Sequence, residues 1–130
     1  MSLNHTYVGE GYTPAYQISA VPFLTSSTLQ AEEIKLVRFE YVTRFLTVKN
    51  TGPTSSTIAM GFTGNGLKPS NSNFFEIDGG ETFSEEIRCT SVFLSASVGA
   101  PTFSLVAGLT QILDRNFNPI TGSNGYPGVG

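Results

Sequence analysis

Carboxylates form the densest group of chemically capable side chains in this sequence of 130 residues. Five of the ten acidic residues fall within eleven positions: Glu76, Asp78, Glu81, Glu85 and Glu86. Paired carboxylates can act as the acid and base of a glycosidase, and clustered oxygen ligands can hold calcium. Three of these glutamates, however, share one short segment, and no spaced Asp-x-Asp loop surrounds Asp78. We therefore predict neither a catalytic pair nor a metal site, and interpret the cluster as solvated strand faces or as one half of a charged contact.

The other reactive residue types are scarce. His5 is the single histidine and Cys89 is the single cysteine. A nucleophilic cysteine needs a neighbouring base, and a structural zinc site needs several cysteines and histidines. A lone cysteine also excludes an intrachain disulfide. We expect Cys89 to be a small buried hydrophobe on a strand, and we predict no enzymatic activity and no cofactor.

The charge balance argues against several classes of partner. Only 13% of the residues are charged, the net charge is −3 and the pI is about 5.0. A nucleic-acid-binding surface would carry an excess of cations, so no nucleic acid is expected. The sequence has no apolar run long enough to span a membrane, and its first residues lack the basic and apolar regions of a signal peptide. These features predict a protein that is made in a reducing cytoplasm.

Short alternating segments predict the elements that position these residues. β-Branched and aromatic residues alternate with polar ones, and turn-forming residues separate the segments. Eight strands are predicted, at 16–24, 34–40, 43–49, 57–63, 73–77, 81–88, 91–97 and 102–109. Turn chemistry supports the boundaries, and "DGG" at 78–80 and "VGAP" at 98–101 each predict a hairpin. This rhythm is typical of an all-β, antiparallel two-sheet sandwich, and the jelly roll is its eight-stranded form.

Both ends of the chain lie outside the strand pattern. We predict an N-terminal arm at 1–15, a sandwich domain at 16–110 and a Gly-rich C-terminal arm at 111–130. Ordering an arm costs about 1–2 kcal/mol per residue, so apolar anchors have to bury area on a partner. The expected anchors are Tyr7, Tyr12, Phe117, Ile120 and Tyr126. Removal of 116–130 is accordingly expected to leave the fold intact.

Opposite charges gather in two separate stretches. Four of the seven cations lie within 15 residues: Lys35, Arg38, Arg44 and Lys49. We predict that this basic segment, 35–49, meets the acidic segment 76–86, within one subunit or across a subunit contact. Facing charges of opposite sign set register and the choice of partner more than they raise affinity. The candidate interface residues from this argument are Lys35, Arg38, Arg44, Glu85 and Glu86.

Four segments carry a family resemblance: "VTRFLTVKNTG", "IAMGFTGNGL", "NFFEIDGGETFSEEIRCTSVFLSAS" and "FSLVAGLTQI". They give a strand ending in Asn-Thr-Gly, a "GFT" strand, a "DGGETF" turn and a strand containing "AGLT". This pattern over 34–110 resembles the small jelly-roll decoration, or cement, proteins on the heads of tailed bacteriophages. The resemblance implies a structural virion protein without catalytic residues, made in the host cytoplasm. Its partners would be the major capsid protein and copies of itself, as a homotrimer or a dimer.

Other functions stay open at the level of sequence. A carbohydrate- or receptor-binding jelly roll of a phage tail or fibre would stack sugars on exposed aromatic side chains, for which this chain has five tyrosines but no tryptophan. A major capsid jelly roll would be a very small one and would lack a basic arm. An enzyme is the remaining alternative. The expectation best supported is a capsid decoration protein that stabilises the shell through self-association and its terminal arms.

Overall fold

Eight β-strands form two four-stranded sheets in the computed structural model of the chain. The structure describes residues 20–30, 33–68, 72–117, 119–122 and 127–129. The strands are β1 (Val21–Thr28), β2 (Ile34–Arg38), β3 (Tyr41–Asn50), β4 (Thr57–Gly61), β5 (Phe75–Asp78), β6 (Thr82–Glu85), β7 (Ser91–Val98) and β8 (Thr102–Leu113). Short 3-10 turns follow at Asp114–Asn116 and Pro127–Val129. In the described ranges, no helix has the length and apolar character needed to cross a membrane.

The strand order is that of a jelly roll. The first sheet has the order β1-β8-β3-β6 and the second has the order β2-β7-β4-β5. All neighbouring strands are antiparallel, and successive strands mostly alternate between the two sheets. The predicted all-β two-sheet sandwich of eight strands is therefore confirmed. Strands β1 and β2 border one side of the sandwich, and strands β5 and β6 border the opposite side.

Alternating apolar side chains fill the space between the sheets. Ile58 and Met60 of β4 belong to the same buried cluster as Phe103, Leu105 and Ala107 of β8, and none is more than 2% exposed. Because successive strand residues point to opposite faces, each strand contributes every second residue to this core. These are the faces that the alternation of apolar and polar residues along the two segments indicates.

Asn50 is a buried polar residue that holds the β3–β4 connection against β5. Its amide nitrogen donates to the carbonyl oxygens of Ile77 at 3.0 Å and Ser56 at 3.4 Å. Its side-chain oxygen accepts from the Gly52 N–H at 2.9 Å and from the Ser56 hydroxyl at 3.5 Å. Buried polar groups need such partners because they have lost water. Through Asn50, the "NTG" turn of the sequence thus links the end of β3 in the first sheet to β5 in the second.

Two turns connect different strands from those expected. The turn at 78–80 leads from β5 in the second sheet to β6 in the first, and the turn at 98–101 leads from β7 to β8 in the same way. Neither is a hairpin, so those two predictions are wrong. The turn residues themselves are well chosen, since Gly80 and Gly99 have φ of 86° and 73°, where glycine is favoured.

Several element boundaries also differ from those expected. β1 begins at Val21, and β8 continues through Leu113, beyond the expected domain end at 110. The extension is stabilised because the Thr110 hydroxyl donates to the Val42 carbonyl at 2.8 Å and Ile112 is fully buried. Cys89 lies in the connection between β6 and β7, and not on a strand as predicted.

Candidate interaction surface

One side of the sandwich exposes large apolar side chains. Seven such residues are exposed among those the structure describes, and five lie on or beside the side bordered by β1 and β2. They are Val21, Leu24, Ile34, Leu36 and Tyr41, and we call them the apolar side. Single surface hydrophobes are ordinary, and a contiguous patch of them marks a site of interaction, so we take the two edge strands that carry these five as the candidate surface.

Strand geometry explains why these side chains face water. β1 and β2 are edge strands, and alternation sends Phe23 and Val37 toward the core while Leu24, Ile34 and Leu36 point outward. Leu24 is 71% exposed although its neighbours on both sides are less so. The two edges are joined across the sandwich by a hydrogen bond of 3.4 Å from the Lys35 ammonium to the Ser27 hydroxyl.

An ion pair stands between two grooves at one end of the apolar side. The guanidinium of Arg38 lies 3.6 Å from the carboxylate of Asp114, and their side chains are 71% and 34% exposed. Water screens a pair this open, so it contributes about 0–1 kcal/mol to stability. Its importance is positional, because Arg38 lines both grooves.

The first groove, which we call the Tyr41 groove, has a volume of about 640 Å³. Phe23 and Leu109 supply apolar walls, while Glu40, Gln111 and Arg38 supply polar groups. The Tyr41 ring is 36% exposed at its border. This volume and this mixture of groups are typical of sites that bind small molecules or single side chains.

The second groove, of about 610 Å³, follows the outer face of the second sheet. Leu36 and Phe93 are cross-strand neighbours on β2 and β7, and both line it. Pro119 of the C-terminal segment lines the opposite wall. The apolar side therefore continues from the β2 edge onto the face of the sheet.

The C-terminal segment packs on its own chain where the structure describes it. Phe117 is 7% exposed and lies against Val42 and Ile112, while Ile120 packs against both this cluster and the main core. Further on, the Val129 carbonyl accepts a hydrogen bond of 2.6 Å from the Thr63 hydroxyl. Phe117 and Ile120 were expected to be anchors on a partner, but their position makes them part of this domain. Removal of 116–130 would take these contacts away from the domain, and the expectation that the fold stays intact without them remains a prediction.

The opposite side of the sandwich is acidic. Five exposed carboxylates lie on or beside β5 and β6: Glu76, Asp78, Glu81, Glu85 and Glu86. Asp78 accepts a hydrogen bond from the Thr57 hydroxyl at 3.0 Å, and Glu76 accepts one from Ser97 at 3.4 Å. We call these five residues the acidic side. No group of three potential metal-ligating side chains converges here or elsewhere within the described ranges.

Only part of the basic segment meets the acidic segment. β3 pairs with β6, which sets Lys49 opposite Thr82 and Leu46 opposite Glu85. Lys35 and Arg38 lie on β2, across the sandwich from β5. The basic and acidic segments are therefore adjacent within one subunit where β3 meets β6, whereas Lys35 and Arg38 lie away from the acidic segment. A contact between opposite charges across a subunit boundary stays a prediction.

Burial makes the Cys89 thiol unreactive. The thiol is 1% exposed and lies 3.4 Å from the Thr43 hydroxyl, and the Cys89 N–H donates to that same oxygen at 3.0 Å. Loss of water around the thiol raises its pKa from 9.0 to about 11, although the Thr43 hydrogen bond works in the opposite direction. Because the thiolate is the reactive form, Cys89 is not a nucleophile near neutral pH.

The sequence-derived candidates thus fall in different places. Arg44 is half-buried on β3, Glu85 and Glu86 are on the acidic side, and Tyr7, Tyr12 and Tyr126 lie outside the described residues. The five residues of the apolar side were not among the candidate interface residues, although Tyr41 is one of the five tyrosines considered for stacking on sugars. Their exposure depends on which face of each strand is turned away from the core, and this follows from the strand order.

Comparisons with known proteins add little to this picture. No family model matches the chain, and no curated protein matches its sequence. A crystal structure of PliG from Aeromonas hydrophila, a periplasmic inhibitor of g-type lysozyme, is 11% identical, with a TM-score of 0.45 over 78% of this chain and 91% of that one. A Bacillus endospore appendage protein, from a family of disulfide-linked pili, is 13% identical, with a TM-score of 0.36 over 70% of this chain and 89% of that one. At these scores neither likeness bears on function.

Proposed function

We propose that this chain is a structural virion protein, a decoration protein that binds the outer capsid surface of a tailed bacteriophage and copies of itself. The apolar side is the observation that carries the proposal. Its side chains face water in the isolated chain, and their burial against another protein surface is favourable. The sequence resemblance over 34–110 supports the same class.

The strength of attachment follows from the exposed area. Burying one leucine or valine side chain completely contributes about 1.5–3 kcal/mol, so Val21 and Leu24 together are enough for a weak individual contact. A shell presents the same site many times, and linked copies of a weak binder hold far more tightly than one. Many modest apolar contacts of this kind suit a protein that reinforces a lattice.

The packing of the C-terminal segment changes which residues make this contact. Phe117 and Ile120 are occupied within their own domain. We therefore assign attachment to the apolar side of the sandwich. The N-terminal candidates Tyr7 and Tyr12 lie outside the described residues. They are compatible with attachment through the terminal arms and with attachment through the apolar side.

Co-sedimentation with shells tests the proposal. Purified chain is mixed with undecorated shells of the phage that encodes it, and bound copies are counted after centrifugation. Leu24→Lys is expected to weaken binding at least ~10-fold, because the lysine replaces an apolar contact. Val98→Lys is the matched control, since Val98 is 53% exposed but is the last residue of β7 and does not belong to the apolar side. The proposal is wrong if wild-type chain does not bind, or if both variants bind as well as wild type.

The Tyr41 groove favours a second candidate, a carbohydrate-binding module. An exposed tyrosine ring can stack on a sugar, and Arg38, Glu40 and Gln111 offer charged and amide groups for its hydroxyls. A glycan array probed with wild type and Tyr41→Ala tests this role. It requires hits that disappear in the variant, and an array without hits rejects it.

A further inference from the structure

We infer that β2 is the contact strand of a two-fold symmetric dimer, in which it pairs antiparallel with β2 of a second copy. β2 pairs only with β7 within the described residues, so the other edge of its backbone has no strand partner among them. Such an edge is a template for another strand. The inference rests on the proposed function only in assigning the apolar side to protein contacts.

β2 is better suited to pairing than the neighbouring edge β1. Pro22 interrupts β1, and a proline has no N–H to donate to a ladder. β2 contains no proline. Its one inward charge is Lys35, whose ammonium donates to Ser27 on β1, so this charge is held between the sheets of its own chain.

The distribution of charge selects a second copy as the occupant. β2 and the residues that flank it carry Glu33, Lys35, Arg38 and Glu40, two charges of each sign. Two copies of this strand therefore meet without net repulsion. The acidic side carries five carboxylates, so two acidic sides repel each other.

The alternative is a head-to-tail arrangement, in which β2 of one copy pairs with β5 of the next. The side chains on the outer faces of these two strands argue against it. If β2 met β5 of the next copy, the outward side chains Ile34 and Leu36 would lie against Glu76 and Asp78. Arg38 lies on the same face of β2 and could pair with one of these carboxylates, so the other would lose water without gaining a cation. In the two-fold arrangement leucine meets leucine, and apolar area is buried on both sides.

The pattern of side chains also fixes the register. Centring the pair on Leu36 sets Ile34 beside Arg38 of the second copy and Lys35 beside Val37 of the second copy. Centring on Lys35 would oppose two ammonium groups. Centring on Val37 would place the two exposed Arg38 side chains diagonally within reach of each other. Centring on Leu36 sets the two Lys35 side chains diagonally instead, but each of them is turned toward Ser27 of its own chain. Leu36 is therefore the residue that faces its own copy.

The test measures the mass of the chain alone by native mass spectrometry and analytical ultracentrifugation. Wild type is expected at twice the 13.9 kDa of one chain. Leu36→Lys is expected at the mass of one chain, because two ammonium groups would then meet at the symmetry axis. Val98→Lys, the control, is expected to stay dimeric, and circular dichroism establishes that each variant is folded.

A mixture of variants provides the decisive arm. Leu36→Lys and Leu36→Glu, with one of them isotope-labelled, are expected to be monomeric alone and to form a mixed dimer together. This rescue requires that position 36 faces position 36. A wild-type monomer or trimer, a dimeric Leu36→Lys, or no mixed dimer would overturn the inference. No shells are used, so a monomer that still binds shells rejects the dimer alone, whereas a dimer that does not bind shells rejects the proposed function alone.

Discussion

Replacing Asn50 with alanine tests whether the buried amide holds the two sheets in register. The substitution removes the donor to the Ile77 carbonyl and the acceptor of the Gly52 N–H, two of the shorter bonds that the side chain makes. The Ser56 carbonyl keeps a second partner, because the Gly79 N–H also donates to it at 3.0 Å. Two backbone groups are thus left without this partner, at about 1–3 kcal/mol each. The free energy of unfolding is expected to fall by about 2–6 kcal/mol.

Urea unfolding followed by circular dichroism measures this loss, and a matching fall of the melting temperature of about 10 °C or more is expected. Ser55→Ala in the same connection is the control, because Ser55 is exposed and its substitution is expected to change stability by less than about 0.5 kcal/mol. If Asn50→Ala unfolds within about 0.5 kcal/mol of wild type, the hydrogen bonds of Asn50 do not hold this connection, and the reasoning about it fails.

Three further predictions concern packing and pH. Gly79→Ala is expected to destabilise the chain more than Gly108→Ala in urea unfolding, because the new methyl group meets the Pro53 backbone at Gly79 but mainly the Phe45 ring at Gly108; equal losses would contradict this order. Stability is expected to be full below pH 9 and to fall by about 1.4 kcal/mol per pH unit toward pH 11, since the unfolded Cys89 thiol ionises near 9.0 and the folded one near 11. The same slope in Cys89→Ala would show that other groups cause it. Phe117→Ala is expected to lower the free energy of unfolding of the isolated chain by about 3–5 kcal/mol, and an unchanged melting curve would return Phe117 to the role of a partner anchor.

The fold class was predictable because strand and turn signals are local. Alternation identified the inward faces of β4 and β8, and glycines marked the turns after β5 and β7. Turn chemistry wrongly predicts hairpins at these turns, because it specifies a reversal of the chain and not the sheet in which the next strand lies. Long-range packing between the sheets decides that assignment.

The candidate surface was harder to predict for the same reason. Ile34 and Leu36 look like core residues in the sequence, and they face water because they lie on the outer face of β2, which depends on how the two sheets pack. Conversely, Phe117 and Ile120 lie in a Gly- and Pro-rich segment that resembles a free arm, yet the ends of β3 and β8 provide a cluster that buries them. The composition of a segment indicates its polarity. Whether its apolar side chains are buried depends on which parts of the fold lie next to the segment.

The central claim is that the chain attaches to other proteins through the apolar side. Hydrogen–deuterium exchange of the chain, free and bound to shells, tests it most directly. The account predicts that exchange in β1 slows on binding to shells, that exchange in β2 is already slow in the free dimer, and that β5 and β6 are unchanged. Slower exchange confined to β5 and β6, or no change in β1 on binding, would contradict it.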